Sequence, residues 1–358
     1  MLFNKAATIN INMLVQDLKK IEVELTTRCN ARCPGCARTL KGETNPDVEL
    51  ADITLENYKK WFSKYNWDQL AYIHFCGSVD EPTINPELID LVQWAHTLSI
   101  QTKNISISTN GGTRDVAFWH KLGRISKKKG KLTVVFGIDG LEDTNHLYRR
   151  NVKWEILQRN FRAYIAAGGD AIWQFIVFSH NKHQLDDVKE RLDREGFSKL
   201  MLIHSDREVV DEIDNERDTK FEVPDWYDTS DANKIDDVKI SDIKFGDKDK
   251  KEIHKANTER SCVRCPAKTN SGDTEFHKKF GNIYVDARGY VTPCCWMGNP
   301  NEIDRLWETH KVSKNLHNLH HTNLMDIIGG YWKLIDDHLQ TYFVCVRKCK
   351  RLVRDVHL

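Results

Sequence analysis

The sequence of 358 residues predicts an α/β fold, a partial (β/α)6 parallel barrel followed by a small carboxy-terminal module of a β-hairpin and a helix. Two observations lead to this prediction. From residue 21 to residue 203, short β-rich runs alternate with longer amphipathic stretches, which is typical of repeated βα units. The last hundred residues are instead rich in cysteine and contain a hairpin-like segment. The chain is long enough for two domains.

Six strand candidates alternate with five helix candidates in the first region. The strands are predicted at 21–25, 72–76, 105–109, 132–138, 171–178 and 199–203. The helices, with an apolar residue about every 3.6 positions, are predicted at 55–65, 86–98, 114–128, 154–167 and 185–195. Asn85 followed by Pro86 is typical of a helix start, and Gly196 of a helix end.

The predicted domains are the barrel at 1–205, an acidic linker at 206–258 and the carboxy-terminal module at 259–358. The middle segment is rich in Asp and Glu and poor in large apolar residues, so we do not expect it to order independently. The alternative is a lid over the barrel mouth. The third region contains a hairpin candidate at 282–295 and a helix candidate at 316–340.

Composition narrows the classes of function. Lys and Arg total 53 and Asp and Glu 52, so the net charge gives no general attraction to nucleic acid or to an anionic membrane. No apolar run approaches the roughly 20 residues of a membrane-spanning helix, and the first residues lack a signal-peptide core. We therefore expect a soluble, cytoplasmic protein with no nucleic-acid or membrane partner. Ten cysteines in such a chain indicate metal ligation or redox chemistry.

Three cysteines lie in a loop directly after the first predicted strand. Cys29, Cys33 and Cys36 form C-x3-C-x2-C at the carboxyl end of that strand, where parallel α/β folds place active sites. Three thiolates so close can hold one corner of an iron–sulfur cube and leave a fourth iron open to a substrate. A structural zinc site or clustered thiols is the alternative.

This loop resembles the signature of radical S-adenosylmethionine (SAM) enzymes. The resemblance implies a 4Fe-4S cluster whose open iron chelates SAM, and cleavage of SAM to a 5′-deoxyadenosyl radical by an electron from an external reductant such as flavodoxin or ferredoxin. It extends over residues 20–205, so that the predicted barrel would be a radical SAM core. One departure is Gly35, because the family often has an aromatic residue just before the last cysteine.

The segment HFCGSVDEPTINPEL (74–88) resembles the Gly-Gly-Glu-Pro motif with which the family holds the SAM amino group. The resemblance implies Gly77 as a site residue, together with Asp80 or Glu81, between which the motif does not choose. A carboxylate can accept hydrogen bonds from an ammonium group. The alternative for both acids is capping of the helix that follows.

Two further segments resemble SAM-binding motifs at strand ends. ISISTNGG (105–112) is similar to the motif that contacts the ribose, which implies Ser108 and Asn110. GIDGLEDTNHLYRR (137–150) resembles the segment in which an Asp-Gly pair precedes an Arg near the SAM carboxylate or the substrate, which implies Asp139 and Arg149. The alternative for Asp139 is a turn made with Gly140.

The second cysteine set resembles the auxiliary-cluster extension called the twitch domain, a smaller relative of the SPASM domain. Its six members are Cys262, Cys265, Cys294, Cys295, Cys345 and Cys349. Because the C-x2-C-x5-C-x3-C run of the full SPASM pattern is absent, the resemblance implies one auxiliary 4Fe-4S cluster. We assign it to Cys265, Cys294, Cys345 and Cys349, with the other two as substitutes. The alternative is a zinc ribbon formed by Cys262, Cys265, Cys294 and Cys295.

The resemblance implies a radical SAM oxidoreductase that abstracts hydrogen from its substrate and passes an electron to the auxiliary cluster. A small molecule is favoured, because peptide maturases commonly carry a leader-binding module and about 20 residues precede the first strand. The alternatives are a peptide-modifying enzyme and a non-catalytic iron–sulfur electron carrier.

Two other features are interpreted as structural. The histidines at 317, 320 and 321 are expected on a solvated helix face. Cys76 is expected to be a small buried strand residue, with hydrogen-atom donation to a substrate radical as the alternative.

Overall fold

An eight-stranded sheet is the frame of the fold. The computed structural model describes residues 18–76, 79–98, 102, 104–129, 132–203, 282–292, 295, 298 and 313–328. The strands in chain order are β1 (Lys20–Val23), β2 (Thr39–Leu40), β3 (Glu43–Thr44), β4 (Tyr72–Phe75), β5 (Asn104–Thr109), β6 (Leu132–Gly137), β7 (Asp170–Ile176), β8 (Lys199–Ile203), β9 (Asn282–Val285) and β10 (Val291–Thr292). The strands β2 and β3 form a separate hairpin.

The strand order across the large sheet is β10-β9-β1-β4-β5-β6-β7-β8. From β1 to β8 the six strands run parallel and follow one another in chain order. The predicted six-stranded partial barrel is therefore confirmed. The predicted hairpin is also present, and it extends this sheet: β9 pairs in parallel with β1 and antiparallel with β10.

Helices connect the parallel strands. They are α1 (Leu55–Phe62), α2 (Leu88–Ala95), α3 (Val116–Lys129), α4 (Asn145–Tyr148), α5 (Trp154–Ala166), α6 (Leu185–Glu195) and α7 (Leu324–Asp326). The Thr54 hydroxyl caps α1 by accepting from the Asn57 N–H at 3.2 Å. Gly196 ends α6 in the left-handed conformation, as predicted. Among the described helices, none is long and apolar enough to cross a membrane.

The apolar core lies between one face of the sheet and the helices. Val23, Phe75 and Ile107 are neighbours across β1, β4 and β5, and all three are fully buried. Farther along the sheet, Phe136 of β6 meets Trp119 of α3 with ring centroids 5.3 Å apart. Each such side chain contributes about 1.5–3 kcal/mol by its burial, so this face supplies most of the stability of the fold.

Helix α2 begins two residues later than predicted. The Asn85 side chain donates to the carbonyls of Leu25 at 2.8 Å and Ile53 at 2.9 Å, and its Oδ1 accepts from the Glu87 N–H at 2.8 Å. Asn85 therefore ties the loop before the helix to the end of β1, and the helix proper starts at Leu88. This long-range role could not be seen in the local Asn-Pro pattern.

The segment after residue 313 also differs from the prediction. Instead of a continuous helix from residue 316, it forms a 3₁₀ turn at Lys314–His317 and the short helix α7, and residues beyond 328 lie outside the described part. Because the Leu319 N–H bonds to the Gly289 carbonyl, this segment packs on the hairpin. His317 is consequently only 1% exposed, and burial lowers its pKa to about 4, so the solvated-face prediction is wrong for His317. His320 and His321 are exposed as expected.

Candidate active site

The face of the sheet opposite the core is polar, unlike the two apolar faces of most parallel sheets. Because side chains alternate along a strand, Glu22 and Glu24 point away from the core. Contacts across the strands show which polar residues share this side. Glu22 Oε1 lies 3.9 Å from His74 Nδ1, and His74 Nε2 lies 2.9 Å from Ser108 Oγ. We call this side the polar face; it lines the inside of the partial barrel.

The three cysteines follow β1 at the carboxyl edge of the sheet. Cys33 is 8% exposed, and Cys29 and Cys36 are half-buried. The Ala31 N–H donates to Cys29 Sγ at 3.4 Å, and Asn110 Nδ2 lies 3.7 Å from the same sulfur. Burial raises the pKa of the Cys29 thiol. A bound metal removes such a proton, because it stabilises the thiolate directly.

Backbone hydrogen bonds hold the cysteine loop against the loops that follow β4 and β6. The Glu81 N–H donates to the Arg28 carbonyl at 2.8 Å, and the Arg32 N–H donates to the Arg150 carbonyl at 3.0 Å. Gly35, between the last two cysteines, has a φ of 70°. A side chain would be strained in this left-handed conformation. The backbone of the loop therefore explains why Gly35 stands where the signature often has an aromatic residue.

Glu81 is fully engaged by the protein itself. Its Oε1 accepts from the hydroxyls of Thr109 at 2.5 Å and Thr83 at 2.6 Å, and from the Thr83 N–H at 3.2 Å. Its Oε2 accepts from the Asn110 N–H at 2.7 Å. The carboxylate thus caps the 3₁₀ turn at Pro82–Ile84 and ties it to the end of β5. The capping interpretation is what the structure shows for Glu81.

Asp80 differs from its neighbour. Both of its carboxylate oxygens are enclosed, and neither has a hydrogen-bond partner among the described residues. Burial raises the pKa of Asp80 well above its usual value, and the carboxylates of Glu24 and Glu81 raise it further; the nearby N–H groups of Leu25 and Thr26 offset only part of this. Of the two candidate acids, Asp80 has the unused capacity to accept from a cationic ligand such as an ammonium group.

The structure places Ser108 and Asn110 in different surroundings. The Ser108 hydroxyl contacts His74 on the polar face. Asn110 is 4% exposed and supports the cysteine loop, since its Nδ2 donates to Asn30 Oδ1 at 2.9 Å while its Oδ1 accepts from the Gly112 N–H at 2.8 Å. Contact of Ser108 and Asn110 with a ribose stays a prediction.

Asp139 and Arg149 form a buried ion pair, with Arg149 Nε 2.6 Å from Asp139 Oδ2. The other oxygen, Asp139 Oδ1, accepts from the Ile176 N–H at 2.6 Å. Burial opposes the charge of Arg149, but Asp139 and then Cys33 outweigh it and raise the Arg149 pKa. A Cβ at Gly137 would overlap the guanidinium, so glycine at the end of β6 leaves room for it. The pair fixes a permanent positive charge near Cys33.

Several predicted site residues lie outside the described part of the chain. They are Gly77, Cys262, Cys265, Cys294, Cys345 and Cys349. Their roles stay predictions. Cys295 is described and half-buried; burial raises the pKa of its thiol, and the charge of Glu22 raises it further.

Glu24 is a site residue that no motif selected. It is 1% exposed, and its two oxygens accept from the Val79 N–H at 2.8 Å and the Tyr284 hydroxyl at 2.5 Å. Burial raises the pKa of Glu24 to about 8. Glu24 thus connects the carboxy-terminal hairpin to the loop that carries Asp80. The available signal was the alternation in IEVEL, which places Glu22 and Glu24 on one strand face.

Comparison with known families agrees with this geometry. Residues 23–192 match the family model described as the radical SAM superfamily. This segment is a radical SAM domain. It runs from the end of β1 into α6 and contains Cys29, Cys33 and Cys36. A radical SAM domain implies SAM and a 4Fe-4S cluster. No curated protein matches the chain.

Solved structures of radical SAM enzymes share the fold. Streptococcus suis SuiB bound to precursor peptide SuiA has a TM-score of 0.52 and 13% identity, over 88% of this chain and 66% of that chain. SuiB without the peptide gives 0.51 and 12%, over 87% and 65%. A tagged anSMEcpe with bound AdoMet gives 0.51 and 14%, over 95% and 91%. The chain spans less than two thirds of the SuiB chains, and at these identities the likeness shows the fold alone.

The described residues of the radical SAM domain fit both cofactors. Cys29, Cys33 and Cys36 would supply three thiolates to the cluster and leave one iron without a protein ligand. Asp80 is an enclosed carboxylate without a donor, which suits the ammonium group of SAM. Arg149, fixed by its ion pair, suits a carboxylate. One acid and one base are thus available for the two charged groups of an amino acid.

Proposed function

We propose that the protein is a radical SAM oxidoreductase that abstracts hydrogen from a small-molecule substrate, with an auxiliary 4Fe-4S cluster as the electron acceptor. The observation that carries this proposal is the enclosed, donor-free carboxylate of Asp80 beside the three-cysteine loop of a radical SAM domain. A non-catalytic iron–sulfur carrier would have no use for such a carboxylate, because burying it without a partner destabilises the protein.

When bound and reduced by a partner such as flavodoxin or ferredoxin, the cluster and SAM supply the 5′-deoxyadenosyl radical. The chain's own residues bind and orient. Asp80 accepts from the SAM ammonium, and Glu81 keeps the Asp80 loop in place through its bonds to β5. Arg149 binds a carboxylate of SAM or of the substrate, while Asp139 holds its guanidinium in one orientation. The polar face then contacts the substrate.

The auxiliary cluster is proposed at Cys265, Cys294, Cys345 and Cys349. Two observations on the described residues support a position next to the barrel. Strand β10 ends at Thr292, two positions before Cys294, and β9 pairs with β1. Tyr284 of β9 also reaches Glu24 inside the barrel. A cluster held close to this hairpin would lie within reach of a substrate on the polar face.

A peptide substrate is the second candidate. Two solved structures with the same fold hold peptides: SuiB with the precursor peptide SuiA, at a TM-score of 0.52, and anSMEcpe with the Cp18Cys peptide, at 0.51. The polar face suits either class, because both offer polar groups to Glu22, His74 and Ser108. The two candidates therefore require a direct test.

The first experiment compares the two cysteine sets in the anaerobically reconstituted full chain. We expect about eight irons per chain from two clusters, and production of 5′-deoxyadenosine from SAM under a strong reductant. Replacing Cys29, Cys33 and Cys36 with Ala should remove half of the iron and all SAM cleavage. Cys294→Ala should keep SAM cleavage and lose product, because it removes the electron acceptor alone.

A circular dichroism melt checks that each variant is folded, since removal of a cluster also removes folding free energy. Absence of 5′-deoxyadenosine from fully loaded protein would refute the enzyme assignment. Full product yield from a folded Cys294→Ala variant would refute the redox role of the auxiliary cluster.

The second experiment distinguishes the two substrate classes. A deuterated cell extract is divided by ultrafiltration into small molecules and peptides or proteins, and each fraction is added to the enzyme with SAM and reductant. Deuterium that enters 5′-deoxyadenosine from the small-molecule fraction supports the proposal. Deuterium that enters only from the large fraction would assign the enzyme to peptide modification.

A further inference from the structure

We propose that Glu22, His74 and Cys76 bind one zinc-type divalent metal ion inside the barrel, separately from the iron–sulfur clusters. One ligand atom from each of the three residues lies within 4.8 Å of the other two. In the described part of the chain, this is the one group of His, Cys, Asp or Glu side chains so close together. We call it the Glu-His-Cys group.

The sheet register brings the three ligands together. Glu22 of β1 lies directly opposite His74 of β4 in the parallel pairing. Cys76 follows His74 by two positions, which places it on the same side of the strand. Glu22 is buried, while His74 and Cys76 are half-buried, so the group is enclosed and still reachable from the polar face.

The distances are close to those of a metal site. Zinc bonds of about 2.0–2.3 Å in tetrahedral geometry separate a nitrogen and an oxygen ligand by about 3.4 Å. The observed separation between His74 Nδ1 and Glu22 Oε1 is 3.9 Å. A side-chain adjustment of about half an ångström would therefore complete the geometry. Imidazole combined with thiolate favours zinc over magnesium or calcium.

A second, independent contact orients the histidine as a ligand. His74 Nε2 lies 2.9 Å from Ser108 Oγ, which leaves Nδ1 directed to the Glu22 side. Metal-binding histidines usually make such a hydrogen bond through their other ring nitrogen, since it fixes the tautomer and the ring orientation. With three protein ligands, the ion would keep one coordination position open to the polar face, as catalytic zinc sites do.

The competing interpretation is an ion-pair cluster that needs no metal. Lys20 Nζ lies 2.6 Å from Glu22 Oε1 and already neutralises that carboxylate. The two interpretations make opposite predictions for Lys20. A metal site should bind its ion more tightly when Lys20 is replaced, because a competing positive charge is removed. An ion-pair cluster should not bind the ion in either form.

The test uses the full chain with its clusters loaded, so that the cluster cysteines are occupied. Protein is incubated with zinc and freed of excess, and zinc and iron per chain are measured by mass spectrometry. We expect one zinc per chain beyond the iron of the clusters. His74→Ala and Cys76→Ser should weaken zinc binding by more than about 100-fold, and Ser108→Ala by about 10- to 100-fold.

Two further variants complete the test. Lys20→Met should bind zinc at least as tightly as the wild type, and it does not depend on the folding of the ligand variants. His120→Ala, an exposed histidine on α3, is the matched control and should keep the zinc. The proposal is overturned if the wild type and Lys20→Met bind no zinc, or if Cys76→Ser keeps it. Loss of iron together with zinc in Cys76→Ser would also overturn it, because the group would then belong to a cluster.

Discussion

Replacing Asp80 with Asn is expected to raise the stability of the cofactor-free protein and to weaken SAM binding. Both carboxylate oxygens are enclosed without a hydrogen-bond partner among the described residues, and such a group costs about 1–3 kcal/mol or more when charged. The neutral amide should recover about 1–2 kcal/mol of this. A lost charge-assisted bond to the SAM ammonium, worth about 1.5–3 kcal/mol, corresponds to about 10- to 150-fold weaker SAM binding.

Glu81→Gln is the matched comparison, because it makes the same chemical change one residue away. Four hydrogen bonds from Thr83, Thr109 and Asn110 converge on the Glu81 carboxylate. The amide has a single acceptor oxygen, so its NH₂ group would face at least one of these buried donors. We expect a loss of about 3–5 kcal/mol of stability from the broken bonds and the unsatisfied donor.

The dependence on pH gives an independent check on Asp80. Its pKa is raised in the folded protein, whereas an unfolded Asp titrates near ~4. Stability contributed by the protonated folded form is fully present below ~4 and is lost as pH rises through the folded pKa. Asp80→Asn should remove this fall, so the two stability curves should separate as pH increases above ~4.

The assays are urea unfolding of the cluster-free protein under reducing conditions, and SAM titration of the reconstituted protein by calorimetry. The reasoning would be refuted if Asp80→Asn were less stable than the wild type and bound SAM normally. If Glu81→Gln weakened SAM binding while keeping its stability, the ammonium contact would belong to Glu81 instead.

Three further variants test other contacts. Tyr284→Phe removes the hydroxyl bond to its buried glutamate partner and should cost about 1–3 kcal/mol in urea unfolding, while Tyr72→Phe on the exposed end of β4 should cost nearly nothing. Gly137→Ala displaces the Arg149 guanidinium and should weaken SAM titration about tenfold or more. Gly35→Ala forces a side chain into left-handed backbone and should lower stability by about 1–2 kcal/mol and reduce the iron retained by the cysteine loop.

Each of these predictions has an outcome that contradicts it. Equal unfolding curves for the two tyrosine variants would show that the Tyr284 hydroxyl contributes nothing to stability. Unchanged SAM affinity in Gly137→Ala would mean that Arg149 can move aside without consequence. Normal iron content and normal stability of Gly35→Ala would mean that the loop relaxes to a different backbone.

Local sequence patterns were sufficient to predict the six parallel strands, the hairpin at residues 282–292 and the three-cysteine loop. Strand alternation, the left-handed Gly196 and the spacing of Cys29, Cys33 and Cys36 all depend on residues close together in the chain. The failures have the same explanation. Asn85 and His317 were assigned from their neighbours, but contacts with Leu25 and with the hairpin decide their surroundings.

The sequence by itself determined the order of the elements, the ligand types and the presence of two acids at positions 80 and 81. Only the tertiary structure decided which acid is available, because Thr109 and Asn110 reach Glu81 from β5 and leave Asp80 without a donor. It also joined Glu24 to Tyr284 across 260 positions of sequence. Burial and hydrogen bonding depend on distance in space, and packing alone sets that distance between residues so far apart in the chain.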